Sequence, residues 1–323
     1  MSETPPDAAI DVVVPVHGGW RHVEACLAAL ESQTVPVNVI VVDDLSPDDT
    51  LQRIRERFAS FTILANEKNL GFAATCNRGI RAGTGEFVVL LNSDVVARPD
   101  LAENLRDRFA SAPARTGSVA PILLGPDGSV DSFGITADVT LAGFVRFHGA
   151  PLARADAARP PLLGPYGAAA AYRRVALDEV GVLDENIFMY GEELELAYRL
   201  RAAGWGAVTL PAVVGTHIGG ASAGKESVRQ RYLSGFGRGY VLRVYRVLRT
   251  RHALRAVVTE AAVVGARLLA RRDFASLRGR LAGWRAARGV PARAIPRVGI
   301  DTSIGIRRSF RMRTPAYWQA SDD

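Results

Sequence analysis

Residues 87–94 read Phe-Val-Val-Leu-Leu-Asn-Ser-Asp, five apolar side chains in a row closed by three polar ones. A strand with one face in water alternates apolar and polar residues, so a short unbroken run fits a strand buried on both faces. Helices covering each side of a parallel sheet provide that burial, and in such sheets ligands sit beyond the carboxyl ends of the strands. Asn92, Ser93 and Asp94 would stand at such an end. A carboxylate there, with short polar neighbours, suits a hard divalent cation carrying a diphosphate. An Asx turn leading to a helix start at Pro99-Asp100 would account for the same eight residues.

The flanking sequence repeats the theme. Residues 10–16, with Pro15 near the end, form a β-branched run read as a first strand, followed by a helix with Val23, Leu27 and Leu30 on one face. Residues 37–42 make a second buried strand running into Asp43-Asp44. Ser46-Pro47-Asp48-Asp49 reads as a helix start, with Ser46 as the cap and Leu51, Ile54 and Phe58 as the apolar face. Residues 61–64 predict a third strand and residues 72–80 a helix. Strands alternating with helices argue for a Rossmann-like, mostly parallel α/β sheet. After Pro113 the pattern changes. Gly125-Pro126-Asp127-Gly128 predicts a turn or hairpin, and residues 141–165 lack a period and read as a mobile loop. Residues 167–171 could be a tightly packed strand. A helix over 191–203 follows, then one strand at 207–210 and another toward His217.

Charge divides the chain. Between residues 229 and 313 there are 21 arginines and no lysine against Glu260, Asp273 and Asp301, a local net of +18 in a chain whose total is +7. An acidic globular part is therefore joined to a basic one near 225–228, with residues 1–9 as a tail, 10–226 as the α/β domain and 227–323 as the extension. Leu233, Phe236, Tyr240, Val241, Val244 and Leu248 fall at helical spacing, with Arg231, Arg238, Arg246 and Arg249 off that face. Two more helices follow before Pro291 and Pro296. Such a part faces an anionic surface, a lipid phosphate or nucleic acid. It has no recognisable RNA or DNA motif, and its aromatics lie on apolar helix faces, which argues against nucleic acid. The same apolar faces would equally serve packing on the first domain or a homodimer contact. Residues 256–266 are too short and too charged to span a bilayer. The polar first nine residues show no signal peptide, and two cysteines, Cys26 and Cys76, give no disulfide framework, so a reducing cytoplasm is expected.

Four places could carry chemistry: Asp43-Asp44, Asn92-Ser93-Asp94, Glu192-Glu193-Leu194-Glu195 and His217. In a parallel sheet the first two converge on the carboxyl edge. Asp94 and His217 would make a mixed oxygen and nitrogen site for Mg²⁺ or Mn²⁺, and a glutamate left free of metal could act as a general base. Each has a plainer reading. Acids in a first helical turn suit the dipole, a lone histidine is usually structural, Asp43-Asp44 can be turn-forming, and Gly71 of Asn69-Leu70-Gly71-Phe72 can simply supply a positive φ.

Taken together, Val14-Pro15-Val16, Val41-Val42-Asp43-Asp44 with Ser46, Asn69-Leu70-Gly71-Phe72 with Asn77 and Gly79, Leu91-Asn92-Ser93-Asp94, residues 188–205 and His217 resemble family 2 glycosyltransferases of the GT-A fold. The resemblance covers about residues 10–220, in the family's order. Within the family it is most similar to bacterial rhamnosyltransferase-like enzymes of cell-envelope polysaccharide assembly.

That resemblance implies an inverting transferase using a nucleotide-diphosphate sugar and a divalent metal, Mn²⁺ or Mg²⁺. Asp44 matches the acid that contacts the nucleoside, with Pro15 and Val16 lining the base pocket. Asn69, Gly71, Asn77 and Ser93 belong to the matching donor-site motifs. Asn92 and Asp94 match the outer positions of the Asp-x-Asp motif, so Asp94 would hold the metal with His217. Glu193 matches the catalytic carboxylate, with Glu192 before it. Asn92 replaces the usual Asp and Glu193 the common Asp, which leaves open whether Glu192 or Glu193 is the base. The acceptor expected from the resemblance is a glycan or polyprenyl-diphosphate-linked hydroxyl, reached from the inner face of the plasma membrane by a peripheral enzyme. The competing class is a catalytically silent module that binds an anionic lipid or polymer.

Overall fold

The computed structural model describes residues 10–219 and 227–320, and strands and helices alternate from Ile10 to Leu91. β1 (Ile10–Val16), α1 (Trp20–Glu31), β2 (Asn38–Asp43), α2 (Thr50–Arg57), β3 (Thr62–Ala65), α3 (Phe72–Ala82) and β4 (Phe87–Leu91) form one half, with strands parallel in the order β3-β2-β1-β4. There follow β5 (Val95–Ala97), α4 (Leu101–Ala110), β6 (Thr116–Leu124), β7 (Val130–Ser132), β8 (Ile135–Asp138) and β9 (Gly143–Val145). β10 (Ala169–Arg173), α5 (Arg174–Val180), α6 (Glu192–Ala202) and β11 (Gly206–His217) complete the first part. The sheet continues from β4 as β10-β6-β11-β5. β10 is antiparallel to β4 and β6, and β11 is parallel to β6, so β1, β2, β4 and β11 all end on one edge. The architecture is the mixed, mostly parallel α/β sheet expected.

Two-sided burial explains the apolar runs. Along β1, Val12 and Val14 face Val23, Leu27, Ile54 and Phe109 of α1, α2 and α4, while Val13 faces Cys76, Ile80, Leu196 and Leu200 of α3 and α6. Every residue of β4 is buried.

Three local expectations are corrected. Ser46 does not cap α2, which starts at Thr50. The Ser46 hydroxyl is drawn to the Asp43 carboxylate and accepts from the Gly18 amide, an Asx-type turn that outcompetes helix initiation. The two late strands are one, β11, whose pairing with β6 shifts register between Leu210 and Val213 and again before Gly215. Residues 141–165, expected as a mobile loop, pack instead. β9 pairs with β8, and Phe144, Phe147 and Ala150 join Phe133, Ile304, Met312 and Trp318 in a core of their own. Arg146 is fully buried there and donates to the carbonyls of Phe133 and Asp156 at 2.8 and 2.9 Å, its guanidinium 5.2 and 5.5 Å from the ring centroids of Phe133 and Phe147. Strands of three and four residues, with a buried arginine directly after β9, leave no period that would have announced them.

The extension comprises α7 (Val228–Val244), α8 (Ala253–Arg271), α9 (Ala275–Ala286), β12 (Ile300–Asp301), α10 (Ile306–Arg311) and α11 (Pro315–Gln319). The expected boundary at 226, like the tail 1–9, lies outside the described residues. β12 adds in parallel to β8. Tyr240, Val241, Val244 and Tyr245 share one core with Ile135, Leu141, Ile187 and Tyr198 of the first part. Arg238 points inward rather than off the apolar face. It and Arg280 each bond Glu260 at 2.7 Å, while Arg255 bonds Asp138 at 2.9 Å and Arg293 bonds Asp184 at 2.8 Å. α7 and α9 are seated backbone to backbone. A Cβ on Gly239 would lie 2.0 Å from the Arg280 carbonyl oxygen, and one on Gly283 2.0 Å from that of Phe236. Glycine costs about 1 kcal/mol in a helix interior, and the close approach is what it permits.

Candidate active site

The carboxyl edge of the sheet opens into a cleft of about 830 Å³. Asn92, Ser93 and Asp94 follow β4, His217 ends β11, Tyr166 and Gly167 precede β10, and Glu192 and Glu193 begin α6. Parallel direction brings β4 and β11 to the same edge, and the reversal at β10 delivers its preceding loop there as well. Pro15, Phe72 and Met189 also line a smaller neighbouring cavity of about 50 Å³ or flank the step into it, together with Val16, His17, Asp44, Asn69 and Gly71.

Asp44 holds the smaller cavity's wall. Its carboxylate accepts from the Leu70 amide at 2.7 Å, the Gly71 amide at 2.9 Å and the Asn66 side chain at 2.8 Å. A carboxylate offers about four acceptor positions, so one remains. Gly71 has φ 84, and a Cβ there would lie 2.5 Å from the Phe188 carbonyl oxygen, so it serves both a positive φ and a close approach. Asn69 lies 3.3 Å from His17 Nε2, and its carbonyl oxygen is buried without a partner. Asn77 is placed elsewhere. It lines neither cavity, and bonds both the amide and the carbonyl of Leu183 at 3.0 and 2.8 Å, clamping the segment before Phe188.

In the cleft, His217 Nε2 lies 3.2 Å from Asp94 Oδ1, and His217 Nδ1 lies 2.9 Å from Asp131 Oδ2. Burial alone would depress the imidazole, but hydrogen bonds and charges from Asp131 and Asp94 outweigh it and push it up to about 9. Asp131 comes from β7 and was not anticipated. The Gly125–Gly128 turn announces its hairpin, but nothing local says that the return strand reaches His217. Asn92 Oδ1 is buried with no partner among the described residues, and its backbone amide is fixed by the Ala168 carbonyl.

Tyr190 at φ 72 and Gly191 at φ 103 turn the chain into α6, and Glu193 Oε2 accepts from the Gly191 amide at 3.2 Å. Non-glycine residues with positive φ are enriched at functional sites. Burial raises the carboxyls of both Glu192 and Glu193 above the usual range, and the neighbouring charge of Glu193 carries Glu192 further. Glu192 Oε2 is buried without a partner among the described residues.

Among the described residues, the lining of the cleft carries Asp94, Asp127, Asp131, Glu192 and Glu193 and neither lysine nor arginine. Such a surface repels a diphosphate unless a cation intervenes. Among the described residues no three His, Cys, Asp or Glu side chains are arranged to hold an ion. Asp94 and His217 thus offer two donors, with Asp131 on the far imidazole nitrogen as the orienting carboxylate commonly seen behind metal-ligating histidines. That donor set fits Mg²⁺ or Mn²⁺ completed by ligand oxygens. The extension also reaches the site: Arg229 lines the smaller cavity with its guanidinium 5.7 Å from the Phe188 ring, and Gln230 and Gln319 line the cleft. Their approach has no local signal in the sequence.

Residues 11–181, more than half of the chain, match the profile of Glycosyl transferase family 2. Over 241 residues the chain is 29% identical to N-acetylglucosaminyl-diphospho-decaprenol L-rhamnosyltransferase of Mycobacterium tuberculosis, covering 67% of this chain and 78% of that protein. The mannosyltransferase PcManGT from Pyrobaculum calidifontis, solved with GDP-Man and Mn²⁺, matches at a TM-score of 0.55 and 19% identity over 89% of this chain and 79% of that one. GalNAc-T7, solved with UDP, GalNAc and Mn²⁺, matches at a TM-score of 0.58 and 16% identity over 73% of this chain and 48% of that one. The structural likenesses show a shared fold, that of the GT-A glycosyltransferases.

Proposed function

The chain belongs to glycosyl transferase family 2, and from that premise we propose that it moves a sugar, with inversion, from a nucleotide-diphosphate sugar to a hydroxyl of a lipid-linked or glycan acceptor in cell-envelope polysaccharide synthesis. The relative's name supports rhamnose as the sugar and a polyprenyl-diphosphate-linked acceptor. The observation that carries the reading is the acid-lined cleft in which Asp94 and His217 meet beside Glu192 and Glu193.

In this reading the nucleoside enters between Pro15, Val16 and Asp44 on one side and Phe188 and Arg229 on the other. The gap as it stands has room for a few waters, so that second wall has to yield. The unpartnered oxygen of Asn92 is free to accept from a ribose hydroxyl. Asp94 and His217 would hold the divalent cation, which when bound neutralises the diphosphate leaving group. Asp131 keeps the proton of the imidazole on Nδ1, leaving Nε2 for the ion.

Glu193 takes the acceptor proton. The Gly191 amide supports the charged form of Glu193, whereas Glu192 Oε2 is buried with no partner among the described residues, which favours Glu193 over Glu192 as the base. Gly167 leaves space over it, since a Cβ at that position would sit 3.7 Å from the carboxyl carbon. A single displacement needs one base and no second carboxylate as nucleophile.

Among the described residues no helix is long and apolar enough to cross a membrane. α8 nevertheless exposes Leu254 at 76%, Val257 at 51% and Leu269 at 88%, near the exposed Arg249, Arg251 and Arg272. That pattern supports peripheral attachment to an anionic bilayer, each nearby basic residue contributing about 1 kcal/mol. Sedimentation with anionic vesicles at low and high salt tests it; equal binding to neutral vesicles contradicts it. The donor is tested by thermal shift over a panel of nucleotide sugars with and without Mn²⁺. One sugar should raise the melting temperature only with the ion, and no shift from any of them contradicts the reading.

A further inference from the structure

Between the extension and the first part lies a second cavity, of about 260 Å³, at the small end of ligand sites, which the transfer chemistry above does not use. It is walled by α6, α7, α8, α9, the segment after β8 and the residues following α10. Leu194, Val241 and Val263 make its apolar side, and Arg238, Arg280 and Arg313 its cationic one.

The charges there do not balance. Glu260 accepts from both Arg238 and Arg280 at 2.7 Å. Asp138, which also acts on Arg313, is already bonded by Arg255 at 2.9 Å. Arg238 is further held by the Thr140 and Leu141 carbonyls. The guanidinium of Arg313 has no hydrogen bond or ion pair among the described residues and lies 5.3 Å from the ring centroid of Phe144. Two guanidiniums thus share one carboxylate, and a third, on the exposed Arg313, lines the cavity with its donor fork unpaired among the described residues. Guanidinium forks match phosphate oxygens two at a time. The apolar wall opposite suits a ligand whose phosphate continues into hydrocarbon.

Position supplies the purpose. Tyr190 lines this cavity and the catalytic cleft alike, and Gly191 separates it from Glu192 and Glu193. A group held by Arg313 therefore lies just across the Tyr190–Gly191 turn from the proposed base. α8, whose residue Val263 walls the cavity, bears on another face the exposed Leu254, Val257 and Leu269.

We propose that this cavity binds the diphosphate of a prenyl-diphosphate-linked acceptor, so that the sugar it carries extends past Tyr190 to Glu193. This rests on the transferase reading above and adds the place where its acceptor is held.

The test titrates the full chain with farnesyl diphosphate and with inorganic pyrophosphate, in the wild type and in Arg313→Gln, Val263→Phe and Asp94→Ala. Farnesyl diphosphate should bind the wild type more tightly than pyrophosphate, and Arg313→Gln should weaken both about tenfold or more. The melting temperature and the Mn²⁺-dependent donor shift should be unchanged in that variant. Val263→Phe, which keeps every charge, should weaken farnesyl diphosphate alone and covers the case in which Arg313→Gln fails to fold. Undiminished binding in Arg313→Gln, or binding lost in Asp94→Ala, would overturn the assignment. Equal affinity for the two probes would make this a site for free phosphate and also overturn it. Absence of any donor shift in the wild type would instead remove the transferase reading and leave the probe titration standing on its own.

Discussion

Asp131 Oδ2 lies 2.9 Å from His217 Nδ1, across the imidazole from Asp94, whose carboxylate is 3.2 Å from Nε2. The two acids come from β7 and the end of β4, and only the fold brings them to one ring. Asp131→Asn should weaken Mn²⁺-dependent donor binding by about 10- to 100-fold, the usual effect of losing an orienting carboxylate. Asp94→Ala should abolish it. Calorimetric titration of Mn²⁺ with donor checks both, and an unaltered Asp131→Asn would make that contact purely structural.

Glu193→Gln keeps size and removes the base, so kcat should fall by about 10²-fold or more with donor affinity retained. A base works deprotonated, and burial raises this carboxyl, so wild-type activity should climb with pH through a limb lying above the ordinary value of 4.5. That limb should vanish in Glu193→Gln. The same result from Glu192→Gln instead would move the base by one residue.

The extremes of what could be read in the sequence meet at the cleft. β1, β2, β4 and their polar ends were legible because unbroken apolar runs have few alternatives and strand polarity fixes which edge they reach. Asp131, His17 and Arg229 were not, since each arrives by long-range packing with no local pattern. The segment 141–165 misled for the opposite reason: Arg146, buried and bonded to carbonyls, looks in sequence like a solvated loop residue. The arginines of the extension were visible as a charge excess, but the sequence does not show that Glu260 gathers two of them.

Glu260, held between Arg238 and Arg280, has its carboxyl lowered to about 2; burial opposes the shift and the two arginines outweigh it. A carboxyl depressed in the fold stabilises above its unfolded value and loses that contribution as pH falls from about 4.5 toward 2. The stability gap between wild type and Glu260→Gln should therefore be widest near neutrality and shrink across that window. A gap constant from pH 7 to 2.5 in chemical denaturation would contradict the pairing.

Gly239→Ala should destabilise despite alanine's better helix propensity, because its Cβ would meet the Arg280 carbonyl oxygen at 2.0 Å. Overpacking of this kind costs about 1–3 kcal/mol. Gly265→Ala, in open space on α8, should be neutral or stabilising. Denaturant midpoints compare them directly.

Turnover bears most directly on the assignment of function. Nucleotide-diphosphate release is followed by mass spectrometry with the donor selected by thermal shift and a prenyl-diphosphate-linked N-acetylglucosamine as acceptor. Release with one sugar added to the acceptor, dependent on Mn²⁺ or Mg²⁺ and lost in Glu193→Gln, is the predicted result. Transfer that persists in Glu193→Gln and Glu192→Gln alike, or that is indifferent to divalent ions and to Asp94→Ala, would contradict the site described here.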